Sequence, residues 1–517
     1  MYDLQTKGYA RKIPEDKISD STGIVWYLPH HNIIHPKKPD KVRVVFDCIA
    51  KYRSESLNES VLQGPNLTNS LIGVLLRFRQ EPVAVMADVE AMFHQVRVDP
   101  AHVSCLRFLW YLGGDIIKDP EEYQMLVHLF SGVWSPSCAA FALRKPAEDN
   151  VGKFDDDIIE TVFRNFYVDD LLKSVKSSED AVRIYTQTSK LLFHGGFHLT
   201  KWISNKRDVL EAILETELTK DLKNVDLETD NLPIERALGM QWNAENDKFV
   251  YNISIKDKPF TRRGVLSITS SIYDPLGFVS PLILRAKLIL QNLCRKKLNW
   301  DEEIPAAELT EWRRWLTELP TIKQLSIDRC TKPEMFEDVA ENELHHFSDA
   351  SEVGYGAVSY LRQVEKKGKV YCSFVIGKSR LTPIKPVTIP RLELSAAAVA
   401  VKLEKLVKRE LEIRVDKSYF WTDSTSVLKY IKNENKRFQT FVANKLAIIH
   451  DGTDPNQWFY VETASNPADD ASRGLTAAQL IDSSRWIQGP EFLWKNDLVW
   501  KDNSPTVDDE ISEDDPE

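Results

Sequence analysis

The chain has 517 residues, 43% hydrophobic and 28% charged, with a formal net charge of −10. That length exceeds a single hydrophobic core and calls for roughly two to four domains. The acidic balance excludes a protein that holds nucleic acid by bulk charge, and no apolar run approaches the roughly 20 residues of a membrane-spanning helix.

The N-terminus, Met1 to Lys7, has no apolar stretch and is not a signal peptide. The six cysteines lie far apart with no CxxC pair, so neither a zinc site nor a disulfide framework is expected and a reducing compartment fits. Residues 22–48 predict strand, turn, strand: Gly23 to Leu28, a His/Pro/Lys turn, then Lys41 to Phe46. Residues 66–80 predict a helix with Leu67, Leu71, Val74, Leu75 and Phe78 on one stripe, ended by Pro82. Val83 to Asp88 is an apolar strand closing on a carboxylate. Leu126 to Leu143 starts as a strand and turns helical after Ser135-Pro136. Phe163 to Leu172 reads as two short strands interrupted by Asp169-Asp170. Residues 178–193 form an amphipathic helix closed by Gly195-Gly196.

Residues 215–232 are polar and unpatterned, a surface excursion. Pro281 to Lys297 is helical, and 299–342 is a connector with one helix from Leu309 to Leu319. The texture then changes. Strands are predicted at His345–Asp349, Gly354–Tyr360, Lys369–Ile376 and Ser418–Asp423. A helix starting at Pro390 puts Leu392, Ala396, Val399, Leu403 and Leu406 on one face. The acids at 508–510 and 513–515 form an acidic tail, expected to be disordered.

Burying adjacent carboxylates is costly unless something neutralises them. Asp88 ends one strand and Asp169-Asp170 lie between two others. Three acids meeting at one sheet edge suit divalent cations, which prefer oxygen ligands. Two such cations can activate an attacking oxygen and stabilise a leaving one, most of what phosphoryl transfer needs besides positioning. Taken singly, each residue has an ordinary explanation as loop, core or surface.

The ordered set carries more. Residues 87–96, ADVEAMFHQV, resemble motif A of reverse transcriptases, and residues 129–136, LFSGVWSP, resemble motif B. Tyr167-Val168-Asp169-Asp170 resembles motif C, residues 195–202 motif D, and residues 238–242, LGMQW, the primer-gripping hairpin. With Tyr273-Asp274-Pro275-Leu276-Gly277 they resemble the Bel/Pao group of long-terminal-repeat retrotransposons, over about residues 20–475. The resemblance implies metal binding by Asp88, Asp169 and Asp170, with the Val89 backbone as a further ligand. It implies that Arg43 contacts the triphosphate, helped by Lys37, Lys38 or Lys41. Phe93 would be the sugar gate that rejects a 2′-hydroxyl. Gly132 would let backbone approach the nucleotide, and Lys201 would be the general acid for departing pyrophosphate. Ser131 departs from the bulkier residue common before that glycine.

A second acidic set follows: Asp349, Glu393, Asp423 and Asp469. Glu393 near a helix N-terminus also suits the macrodipole, and Asp423 also suits an N-cap. Their order resembles the RNase H fold, implying two more Mg²⁺ and cleavage of the RNA strand of a hybrid. Asp469 is chosen over Asp470 on the family's Ala-Asp-X-X-Ser-Arg pattern. His450 is a poor match to the auxiliary histidine of some relatives. Arg285, Lys287, Arg295, Lys296 and Lys297 offer phosphate contacts, and Trp300 and Trp312 offer rings for stacking, against the commoner use of such rings in packing.

The expected architecture is an α+β polymerase right hand followed by an α/β RNase H-like domain. Fingers and palm occupy 1–255, with a palm core at about 83–245, thumb and connector 256–342, the RNase H-like domain 343–475, and a C-terminal extension 476–517. The expected function is RNA-directed DNA polymerase with RNase H endonuclease activity. It would use two Mg²⁺ per site (or Mn²⁺) on RNA template, DNA primer, RNA–DNA hybrid and dNTPs. The setting would be the cytoplasm, in virus-like particles. The rivals are a silent or domesticated nucleic-acid-binding remnant and an RNA-dependent RNA polymerase. The absence of protease, zinc and integrase motifs suggests a piece of a longer polyprotein.

Overall fold

The computed structural model describes residues 1–18, 24–35, 38–222, 226–227, 230–336, 338–433, 437–482 and 484–496. Gly23, Lys37, parts of the 215–232 excursion and the acidic segment 508–515 lie outside these, as do the side chains of Lys38 and Lys41.

The N-terminal region carries a sheet of β1 (Ala10–Lys12), β5 (Arg107–Trp110) and β6 (Glu121–Met125), in the order β1-β6-β5. Beside it stands an antiparallel hairpin of β2 (His30–His35) and β3 (Lys38–Phe46). Here the sequence expectation is corrected. Trp26 and Leu28 are not in a strand of this hairpin; their N–H groups bond to Ser104 O and Arg107 O beside β5. The stretch expected to turn supplies β2 instead. Ile33 and Ile34 on β2 are exposed, so the strand rests on its backbone ladder and has no buried face to announce it.

The palm sheet runs β7 (Phe166–Tyr167), β8 (Asp170–Val175), β4 (Val83–Val89), β9 (Leu199–Ser204), all antiparallel. Its helices are Leu71–Phe78, Ser135–Asp149, Asp156–Arg164 and Ser178–Phe193. The first begins at Leu71 rather than 66, because Ser70 caps it by accepting the Gly73 N–H at 3.2 Å. Asn69, left outside, donates its amide to Phe163 O and Phe166 O at 2.9 and 2.8 Å and pins the entry to the Asp169-Asp170 hairpin. A second correction concerns 126–134: the strand β6 stops at Met125, and a turn region leads to the helix at Ser135. Within 215–232, Leu218, Leu222 and Leu232 are buried, so the excursion is anchored to the core.

A third sheet joins β10 (Ile234–Ala237), β11 (Met240–Asn243), β12 (Lys248–Val250) and β13 (Ser326–Asp328) in sequential order. Between β12 and β13 lie helices Arg262–Ser271, Ser280–Arg295 and Ala306–Glu318. The last sheet has the order β16-β15-β14-β17-β18, from β14 (Val339–Ala350), β15 (Gly354–Glu365), β16 (Val370–Leu381), β17 (Lys417–Thr422) and β18 (Trp458–Tyr460). The first three form an antiparallel meander. The helix Ile389–Glu410 crosses over, so that β17 joins β14 in parallel.

One continuous hydrophobic core runs from the palm through the connector into this last sheet, while the N-terminal sheets keep a separate core around Phe46, Phe108 and Tyr123. The junction is also polar. Arg77 of the palm helix pairs with Glu410 at 2.7 Å, and Lys173 of β8 reaches Glu412 at 3.2 Å. Gly73 leaves the space Glu410 occupies. Buried Arg329 holds Asp247 at 2.6 and 2.7 Å and donates to Glu81 O and Pro82 O, tying the third sheet to the palm. Gly277 packs directly on the Gly377 backbone of β16, with Gly377 N–H bonded to Leu276 O at 2.8 Å.

Candidate active sites

In the palm, antiparallel register sets Asp88 opposite Asp170, and the Val89 N–H donates to Asp169 O at 2.8 Å. The turn between β7 and β8 puts Val168 at φ 56°, a left-handed conformation costly for a β-branched residue. Burial pushes the Asp169 carboxyl up. Burial, then the charges of Asp169 and Asp88, push Asp170 up to about 7.

Lys201 enters this group through a bulge. Met86 pairs with Ile203 and Asp88 with Thr200, so two residues of β9 face Ala87 alone. Lys201 takes φ 56°, and its Nζ lies 2.8 Å from Asp88 Oδ2. Nothing in the alternation of β9 foretells that bulge.

The nucleotide-side candidates gather around motif B. Arg43 on β3 sits over the Phe130 ring at 4.4 Å, and Phe93 meets Phe130 edge to face at 4.8 Å. Gly132 has no room for a Cβ, which would come within 2.8 Å of the Trp134 ring. Asn58 clamps the turn, donating to Ser131 O at 2.9 Å and accepting from the Val133 N–H at 3.0 Å. Sequence reading missed both Asn58 and Phe130; the latter lay within the quoted motif.

Leu238 and Gly239 both take positive φ, 47° and 90°, the twist a two-residue hairpin between β10 and β11 needs. A Cβ on Gly239 would meet the Tyr273 ring at 2.8 Å. Asp274 beside it accepts from Tyr251 Oη at 3.0 Å and from the Gly277 and Val279 N–H groups at 3.1 and 2.9 Å. Burial outweighs those bonds and pushes its carboxyl to about 6. The Tyr-Asp-Pro-Leu-Gly run is therefore a folded joint between the primer-grip-like hairpin and β16.

The second acidic set is tighter. Parallel pairing of Ser348 with Thr422 brings Asp349 and Asp423 side by side, and Glu393 comes from one turn into the helix Ile389–Glu410. Among the described residues, the acidic trio whose ligand atoms all lie within 4.8 Å of one another is Asp349, Glu393 and Asp423; the palm acids do not meet that spacing. Burial, then the Asp349 and Asp423 charges, push Glu393 up to about 9. Burial chiefly, with Asp423 and Asp469 adding, pushes Asp349 to about 7 against the Ser472 hydroxyl bond. Glu393 Oε2 is buried with no hydrogen-bond partner. A bare, buried carboxylate oxygen among hard donors fits a divalent cation.

Ser424, not Asp423, caps the following helix, leaving Asp423 Oδ2 to accept from Thr463 at 2.7 Å. Asp470 is buried and paired with Arg485. Asp469 is paired with Arg473, stands 3.8 Å from Arg485 and adds its charge to the field on Asp349, but stays outside the trio. His450 bonds to Ile431 O at 2.8 Å.

Two of the basic residues offered for phosphate contact are engaged in ion pairs. Arg285 pairs with Glu318 at 2.9 Å and Lys296 with Glu308 at 2.5 Å, both holding helices together. Trp312 is buried, stacked on Trp315 at 5.0 Å, so it packs the core and presents no ring for a base. Trp300 stays half-exposed, with Arg262 over its ring at 4.1 Å.

Residues 261–424 match the family described as the Pao retrotransposon-like RNaseH-like domain. That match begins at the connector helices, which pack against β16, and ends just past Asp423. It bears out the Bel/Pao resemblance over this stretch. No curated protein matches the sequence at a significant level. Among solved structures, the chain resembles the foamy viral protease-reverse transcriptase dRH in complex with dsDNA, with a TM-score of 0.56 at 15% identity, over 89% of this chain and 68% of that one. It also resembles the foamy viral protease-reverse transcriptase with RNA/DNA hybrid (TM-score 0.53, 16% identity, 89% and 52% covered). The same protein with dsDNA gives a TM-score of 0.53 at 15% identity, covering 89% and 81%. The fold is thus mixed α/β, like that of a retroviral reverse transcriptase. The chain spans about half the length of the hybrid-bound one. Among the described residues no helix is long and apolar enough to cross a membrane.

Proposed function

We propose that this chain is the reverse transcriptase and RNase H portion of a Bel/Pao-type retroelement, copying RNA into DNA and cutting the RNA strand of the resulting hybrid. The observation that carries the reading is the pair of acidic sites in one chain. Asp88 faces Asp170 across β4 and β8, with Asp169 in the adjoining turn, and Asp349, Glu393 and Asp423 converge beyond them. The foamy viral structures, solved with dsDNA and with RNA/DNA hybrid, support the same substrates here.

Divalent cations, Mg²⁺ or Mn²⁺, when bound, lower the cost of charge on the attacking and leaving oxygens at both sites. Asp88, Asp169 and Asp170 would hold them in the palm, and Asp349, Glu393, Asp423 and Asp469 in the RNase H-like half. Arg43 binds the incoming triphosphate and Phe93 excludes a 2′-hydroxyl. The primer 3′-hydroxyl gives its proton to solvent, its oxygen bonds to the α-phosphorus as the bond to pyrophosphate breaks, and the Lys201 ammonium donates a proton to that leaving group and regains one from solvent. In the second site water cleaves the RNA phosphodiester. Cytoplasmic action within virus-like particles belongs to the same proposal.

The test is a paired assay on one preparation: dNTP incorporation on a primed RNA template, and cleavage of an RNA–DNA hybrid, each with Mg²⁺. Incorporation lost in Asp169→Asn and cleavage lost in Asp423→Asn would support the reading. Nucleic-acid binding with no turnover in the unmodified protein would replace it with a silent remnant.

A further inference from the structure

Phe130 takes no part in the roles assigned above, yet three groups converge on it. It lies two residues before Gly132 and is 48% exposed. The Arg43 guanidinium carbon stands 4.4 Å from its ring centroid. Phe93 meets it edge to face, centroids 4.8 Å apart and planes at 87°. His94 meets it at 5.5 Å and 86°. Burial pushes the His94 imidazole down to about 4, so at neutral pH it adds no charge beside Arg43. The next residue, Ser131, turns its hydroxyl to Cys48 at 3.0 Å. Asn58 holds the turn on both sides, so Phe130 is presented from a fixed backbone.

Arg43 needs such an anchor. Among the described residues its hairpin, β2 and β3, pairs with no other strand, and Ile33, Ile34 and Val42 on it are exposed. A guanidinium on the exposed part of a ribbon must be ordered each time a triphosphate binds, and that ordering weakens binding. A ring beneath the cation removes part of the cost beforehand. The same ring braces Phe93 through an edge contact, a favoured aromatic geometry.

We propose that Phe130 is a positioning residue for the incoming nucleotide, holding Arg43 for triphosphate capture and Phe93 for sugar discrimination through one ring. The inference rests on the polymerase reading and deepens it. It predicts a binding effect larger than a rate effect, transmitted through Arg43.

The experiment is single-nucleotide incorporation by the full chain with Mg²⁺ on a primed RNA template, with dNTP and rNTP. The variants are Phe130→Ala, Phe130→Leu, Phe130→Tyr, Arg43→Ala and the Arg43→Ala/Phe130→Ala double. Phe130→Ala should raise the dNTP KM about tenfold, change kcat by less than about twofold and lower discrimination against rNTP several-fold. Phe130→Tyr should stay near the unmodified protein, and adding Phe130→Ala to Arg43→Ala should raise KM little further. An active unmodified protein whose KM and discrimination are untouched by Phe130→Ala overturns the inference, as do fully additive KM effects. Rescue by Phe130→Leu overturns it too, because bulk would then suffice without the ring. An unmodified protein that incorporates nothing overturns the polymerase reading and the inference with it.

Discussion

The two acidic sites are both built from carboxylates and differ in how firmly these are held together. In the RNase H-like half, two strands in parallel register and a 22-residue helix force three carboxylates together, Asp349 and Glu393 from buried positions and Asp423 from a half-buried one. The cost of that preformed site is visible in Glu393, pushed up to about 9, and Asp349, pushed to about 7. In the palm, the acids come from one strand and one hairpin, and Lys201 holds Asp88 at 2.8 Å. Asp170 still rises to about 7. One site is assembled by packing; the other keeps a lysine on one of its acids.

The sharpest way to separate the sites is by single carboxylates. Asp169→Asn should lower dNTP incorporation roughly 10²–10³-fold and leave hybrid cleavage within about twofold, and Asp423→Asn should do the reverse. A substitution that lowers both equally would mean the sites are not independent. Next comes the junction. Arg77→Leu leaves Glu410 without its buried partner and should destabilise the chain by about 3–5 kcal/mol, read by denaturant unfolding. Cleavage positions behind a primer terminus should also spread.

Cation binding should then stabilise the folded chain by about 2.7 kcal/mol at a hundred times Kd. If the RNase H-like site is the preformed one, Asp423→Asn should abolish more of that gain than Asp169→Asn does; thermal unfolding with Mg²⁺ and with chelator measures it. A smaller effect comes from Glu343, on the same strand as Asp349 but shifted the other way. Burial alone would raise its carboxyl, yet His345 and Arg362 outweigh burial and hold it at about 2, below its ordinary 4.5. Its contribution is therefore present above about pH 4.5 and lost as pH falls towards 2. The amount is on the order of 2 kcal/mol. Glu343→Gln should flatten that part of the stability–pH curve. Smallest is Val168→Gly, which relieves the left-handed strain and should raise stability by about 1 kcal/mol. Slower incorporation by this variant would show that a stiff turn serves the palm site.

Much of the fold was legible because its signals are local. The apolar run of β4 ending in Asp88, the amphipathic helix Ser178–Phe193 and the Pro390 helix start all appear in the structure where their patterns put them. The failures have physical reasons. β2 is an exposed ribbon without an apolar face, and Ser70 starts its helix late because a cap outweighed a leucine stripe. Trp312 takes the packing role, the commoner of the two that sequence left open, but sequence shows only its residue type and not its partner Trp315 across one helical turn. The Arg285 and Lys296 charges were legible, and the acids that neutralise them were not.

The acids themselves, and their order along the chain, were present in the sequence, because carboxylates at strand ends need only local pattern to be noticed. Folding supplied the distances. It drew Asp349, Glu393 and Asp423 to within 4.8 Å and left Asp469 beside them. It aimed Lys201 at Asp88 through a bulge, and set Phe130 between Arg43 and Phe93. Those contacts join residues 30 to 113 positions apart. Register, bulges and helix docking set them, and these are properties of packed backbones that no stretch of side chains specifies alone.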